Sequence, residues 1–136
     1  MTATAAVRAV LVAAGIALAV VGVRREQGHD ACASARIDSL AIGLKRAPAN
    51  GAPAVAERVA AHCRDTAILS ESAIALLRAG QTGPAQRLAA TAIAREPDVR
   101  NGWVALSLAR RRAGDAAGAQ RALVRARQLD PVGLRG

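Results

Sequence analysis

The 136-residue chain has no Phe and no Tyr, and Trp103 is its single aromatic residue. A core without aromatic rings must be filled by Ala, Leu, Val and Ile, and small Ala contacts draw helices close together. Strand formers are correspondingly scarce while Ala, the best helix former, dominates, which argues against a β-sheet and predicts an all-α fold. The same shortage removes the stacking faces that single-stranded nucleic acid needs. Lysine is nearly missing as well: Lys45 is the only one, so the net charge of +9 is almost wholly arginine. Such a charge bears on association and solubility, not on fold. Ala, Arg, Gly and Val also share GC-rich codons, so a GC-rich genome would produce such a bias without a nucleic-acid partner.

Catalytic equipment is also sparse. The two histidines, His29 and His62, stand apart from any serine with a helical carboxylate partner. The acidic residues form no repeated pair on one face, and "GQTGPAQR" lacks the Lys and spacing of a phosphate loop. The chain reads as a non-enzyme that calls for no cofactor. A zinc site from His29, Cys32, His62 and Cys63 has one ligand-like spacing, but adjacent helical residues point about 100° apart, so His62 and Cys63 do not converge on one metal.

One long apolar run is present. Residues 9–23 carry no charge, and extension back to residue 3 reaches the roughly 20 residues of a membrane span if Arg8 snorkels. The segment is apolar all round, as a span is. A cleaved signal peptide competes, with "ALA" at 17–19 as its processing site, giving a secreted domain. Residues 1–28 are therefore expected to be an anchor or signal segment, with residues 3–23 contacting the membrane.

Between residues 29 and 64 a helical hairpin with two cysteines is expected. Ile37, Leu40, Ala41 and Leu44 recur at i, i+3, i+4 and i+7, the mark of a buried stripe. "APANGAP" then breaks the chain, and Val55, Val59 and either His62 or Cys63 follow on a second helix. Cys32 opens the first helix and Cys63 closes the second, ends that adjoin in an antiparallel hairpin. A disulfide between them is predicted, adding about 3 to 4 kcal/mol by loop closure. Such bonds persist in oxidising compartments, so the expected location is a single-pass cell-membrane protein with its C-terminal domain outside the cytoplasm.

Residues 65–136 contain a repeat. Arg78, Ala79, Gly80, Ala85, Gln86, Arg87, Ala92 and Pro97 recur 34 residues later as Arg112, Ala113, Gly114, Ala119, Gln120, Arg121, Ala126 and Pro131. Helices are expected over 66–79, 84–95, 100–113 and 116–129. Gly80 and Gly114 are expected to end the first helix of each unit, with Asp98 and Asp115 capping the helices that follow. With the cysteine hairpin as a degenerate first unit, the array has three helical pairs, about the minimum for a stable solenoid.

Trp103, Leu106, Ala119, Leu123, Ala126 and Pro131 in one unit, and Leu69, Ala73, Leu76, Ala85, Ala89, Ala92 and Pro97 in the other, resemble the tetratricopeptide repeat. The arrangement is similar to bacterial membrane-anchored members of that family. Ala89 stands where the family has a large apolar residue, so packing there is expected to be looser. The resemblance implies a short α-solenoid whose first helices line a groove for an extended or helical peptide. Ser70, Ile74, Leu77, Arg78, Asn101, Val104, Leu108, Arg111 and Arg112 would form it, an apolar strip with a basic end suited to an acidic segment. The Lys and Asn residues with which some members grip a carboxylate are absent. Arg121 and Arg125, opposite the apolar stripe of the last helix, belong to a solvated face. The expected function is a protein-interaction or assembly module acting on a protein partner, an acidic peptide segment or another membrane protein, and compatible with a homo-oligomer. The alternative is a basic domain that binds nucleic acid or anionic lipid headgroups.

Overall fold

A computed structural model describes residues 30–129 of the chain. The apolar segment 3–23, His29 and Pro131 lie outside these residues. Helical residues 30–43 (α1) are followed by a 3-10 turn, Ala49–Gly51, and by α2 (Ala52–His62). Then come α3 (Thr66–Arg78), α4 (Thr82–Arg95), α5 (Arg100–Arg112) and α6 (Ala116–Leu129). Among the described residues there is no strand. The four helices of the clear repeats begin and end within two residues of expectation.

The helices pair as hairpins, α1 with α2, α3 with α4 and α5 with α6, and the pairs stack so that α3 lies between α1 and α5. The core is built from leucine and alanine. Leu69, Leu76, Leu88 and Val59 are fully buried, and Ala73, Ala85, Ala92, Ala105 and Ala109 let the helices approach closely. Ala89 is buried as completely as its neighbours.

The ends of the first helices show why the cysteine hairpin belongs to the array. Gly80 and Gly114 adopt left-handed φ values of 77° and 86°, and Lys45 stands at the matching place in the first unit with φ 58°. Each is followed by the same closing bond: Arg46 N to Ala41 O at 2.8 Å, Gln81 N to Leu76 O at 2.9 Å, and Asp115 N to Arg110 O at 2.9 Å. Three units thus share one helix-end geometry, although only two share a visible sequence pattern.

Helix starts are less uniform. Asp115 caps α6 as expected, its Oδ1 accepting from Gly118 N at 2.7 Å. Asp65 caps α3 by accepting from Ala67 N at 2.8 Å. Asp98 does not cap α5, whose N-cap position is Val99 with no side-chain cap bond; it pairs instead with Arg125 at 3.1 Å. Arg125 thus has an ion-pair partner in the α4–α5 turn while its side chain stays 42% exposed, on the solvated face expected for it.

Two further expectations are corrected. The stripe Ile37, Leu40, Ala41, Leu44 is not the buried face of α1: Ile37 is 64% exposed and Leu44 60%, while Ala35, Ser39 and Ile42 are buried. The reason is close approach. A Cβ on Gly43 would lie 2.6 Å from the Ala75 carbonyl oxygen, and the Ser39 hydroxyl donates to Ser72 Oγ at 3.0 Å, so α1 meets α3 through its small residues. The second correction concerns location. Among the described residues no helix is long and apolar enough to cross a membrane, so the reading as a single-pass membrane protein with an extracytoplasmic domain is not supported.

Candidate functional site

Helices α1, α3 and α5 run side by side and enclose a cleft of about 300 Å³. Leu40 lines it from α1, Ala67, Glu71, Ile74, Ala75 and Arg78 from α3, and Asn101 from α5. Ile74 rests partly on the core, whereas Arg78 and Asn101 are exposed. The Glu71 carboxylate accepts from Arg36 Nε at 2.9 Å and lies 2.8 Å from its Nη2, which balances the acid from across the α1–α3 contact. One wall is thus aliphatic, one end holds a balanced ion pair, and the other end holds the cationic Arg78.

Of the groove residues expected from sequence, this cleft gathers Ile74, Arg78 and Asn101. Ser70 is buried, and its hydroxyl turns inward to donate to the Thr66 carbonyl at 2.8 Å. Leu77 is also buried. Val104 is half-buried and Leu108 is exposed, both on α5 beyond the cleft. Arg111 and Arg112 are exposed at the far end of α5, where the Arg112 guanidinium donates to the Leu77 carbonyl. Sequence reasoning missed Leu40 and Glu71. A signal for Leu40 existed: Ala35, Ser39 and Gly43 recur every four residues, a row of small side chains that marks the contact face of α1 and leaves the leucines outside.

The cysteines fix one end of this wall. Cys32 in α1 and Cys63 at the end of α2 have sulfur atoms at bonding distance, 2.12 Å, with Cα atoms 4.8 Å apart. Cys63 is the buried member of the pair His62 and Cys63, and His62 is exposed. Beside this bond Arg95 of α4 donates to the carbonyls of Cys63 and Ala60, each at 2.5 Å, tying the second unit to the first. Among the described residues no group of three or more His, Cys, Asp or Glu side chains is placed to hold a metal ion. Compared with known proteins, the chain matches no family model, no curated protein and no solved structure significantly.

Proposed function

We propose that this domain is a non-catalytic interaction module of the tetratricopeptide-like class, holding a segment of a protein partner along the cleft between its first helices. The observation that carries the reading is that cleft: three successive first helices contribute Leu40, Ile74, Arg78 and Asn101 to one depression. In a stacked array only such a surface is continuous from unit to unit. The occupant that fits is a helical or extended segment with an aliphatic side chain for Leu40 and Ile74 and an acidic group toward Arg78. The exposed Ile37 and Leu44 widen the apolar side of the same wall.

Site-specific photo-crosslinking in the full chain tests this. A crosslinker at Asn101 should capture one discrete protein partner. The same group at Arg121, exposed on α6, should not capture it. Arg78→Glu should reduce the Asn101 product several-fold. An identical set of products from positions 101 and 121, unchanged by Arg78→Glu, would rule the cleft out as the docking site.

A further inference from the structure

The turns that end α1, α3 and α5 form one edge of the array. Gly43 lies against the Ala75 carbonyl and Arg112 donates to the Leu77 carbonyl, so neighbouring helix ends are joined in a row. This edge carries Lys45, Arg46, Arg78, Arg111 and Arg112, all exposed, and a single acidic side chain, Asp115. Asp115 is already engaged, capping α6 and lying 3.9 Å from Arg110 Nε. At the opposite edge Arg64, Arg95, Arg100 and Arg127 are offset by Asp30, Asp65, Glu96 and Asp98. Cations are therefore gathered at one edge with little acidic offset, although exposed arginines such as Arg121 and Arg127 also stand elsewhere.

Cations near a helix C-terminus are favoured by the helix dipole, which accounts for some of these residues. The dipole gives no reason for exposed leucines beside them. Leu44, 60% exposed, directly precedes Lys45, and Leu108, 42% exposed, stands one turn before Arg111 and Arg112. From this combination the geometry points to a contact surface for an anionic phospholipid bilayer: the basic side chains face headgroup phosphates while Leu44 and Leu108 enter the boundary between headgroups and acyl chains. Basic side chains and exposed aliphatics together are what an interfacial contact uses, and such a contact needs no spanning helix. Nucleic acid would meet the same charges but find nothing to stack on. Trp103, the one aromatic, lies toward the other edge with its indole N–H donating to the Pro97 carbonyl at 2.8 Å. A row of turn tips also suits a fluid surface better than a shaped partner. This surface shares Arg78 with the cleft and Leu44 with its apolar wall, and it stands whether or not the cleft holds a protein.

The test is co-sedimentation of the full chain with phosphatidylcholine vesicles and with vesicles that also contain phosphatidylglycerol. Neutral vesicles report any apolar binding, and the excess on anionic vesicles reports the edge. That excess should fall as salt is raised. Each cation near an anionic surface contributes about a factor of five, so Lys45→Glu with Arg46→Glu and Arg78→Glu should lower the excess by about a hundredfold or more. Leu44→Ser should lower it several-fold, and the milder pair Arg46→Gln with Arg78→Gln should move it in the same direction if the triple variant folds poorly. Arg64→Glu with Arg121→Glu and Arg127→Glu makes the same change in net charge at exposed positions away from the edge and should retain most of the excess. Equal losses in the two triple variants would reduce the effect to bulk charge and overturn the proposal. So would unchanged binding by the edge variants, or duplex DNA that binds more tightly than anionic vesicles at physiological salt.

Discussion

Single glycines in this fold have opposite roles, and substitution by alanine should separate them. Gly43→Ala would drive a methyl group into the Ala75 carbonyl, a backbone atom with little freedom to move. Overpacking of this kind costs about 2 kcal/mol, a drop of roughly 10 °C in the thermal midpoint. Gly51 has open space around its Cβ position and φ −76°, so Gly51→Ala should be neutral or stabilise by about 0.5 kcal/mol. Lys45 sits at φ 58°, where a side chain is unfavourable, and Lys45→Gly should raise the midpoint by a few degrees. Calorimetry on the three variants checks all of these signs together. Much at this scale was legible in sequence: Gly80 and Gly114 announce their turns by the 34-residue register, and Asp115 by its place before a helix. Asp98 was not, because an exposed aspartate near a helix start serves equally well as an ion-pair partner, and Arg125 is within its reach.

At the level of the element, α1 shows where periodicity misleads. Ile37, Leu40, Ala41 and Leu44 have helical spacing, and a face of large aliphatic residues is ordinarily the buried one. The partner decides otherwise here. Ser72 and Ala75 of α3 offer small side chains, and the pair of helices gains more from close approach through Ser39 and Gly43 than from interposed leucines. The helix was legible; the face was not, because it depends on a helix 30 residues away, and the cleft that Leu40 lines was hidden with it. The cysteine pairing, by contrast, followed from hairpin geometry alone, since the two ends of an antiparallel pair must adjoin. Mass spectrometry of unreduced protein should show Cys32 and Cys63 in one linked peptide pair. Replacing both with Ala should lower the unfolding free energy by about 3 kcal/mol in denaturant titration. Two thiols open to alkylation in native protein would refute the bond.

For the whole molecule, stability should be close to a sum of units and of contacts between neighbouring units. Gly43 acts at the contact of α1 with α3, and Trp103 acts within α5, half-buried with its indole held by the Pro97 carbonyl. The two sites share no partner, so the destabilisations from Gly43→Ala and Trp103→Ala should add to within about 0.5 kcal/mol in the double variant. Gly43→Ala with Ser72→Ala should not add, because both act on the contact of α1 with α3. The array as a whole was readable from the 34-residue repeat, but the gathering of cations at one edge was not, because Lys45, Arg78 and Arg112 become neighbours only when the units stack. The covalent link has one more consequence, for the way this protein breaks. The loop between α1 and α2 presents Pro48 and Asn50 to solvent, a ready place for a protease to cut. A cut there falls inside the ring that Cys32 and Cys63 close, so the nicked chain should migrate as one species on a non-reducing gel and separate into two fragments only after thiol is added.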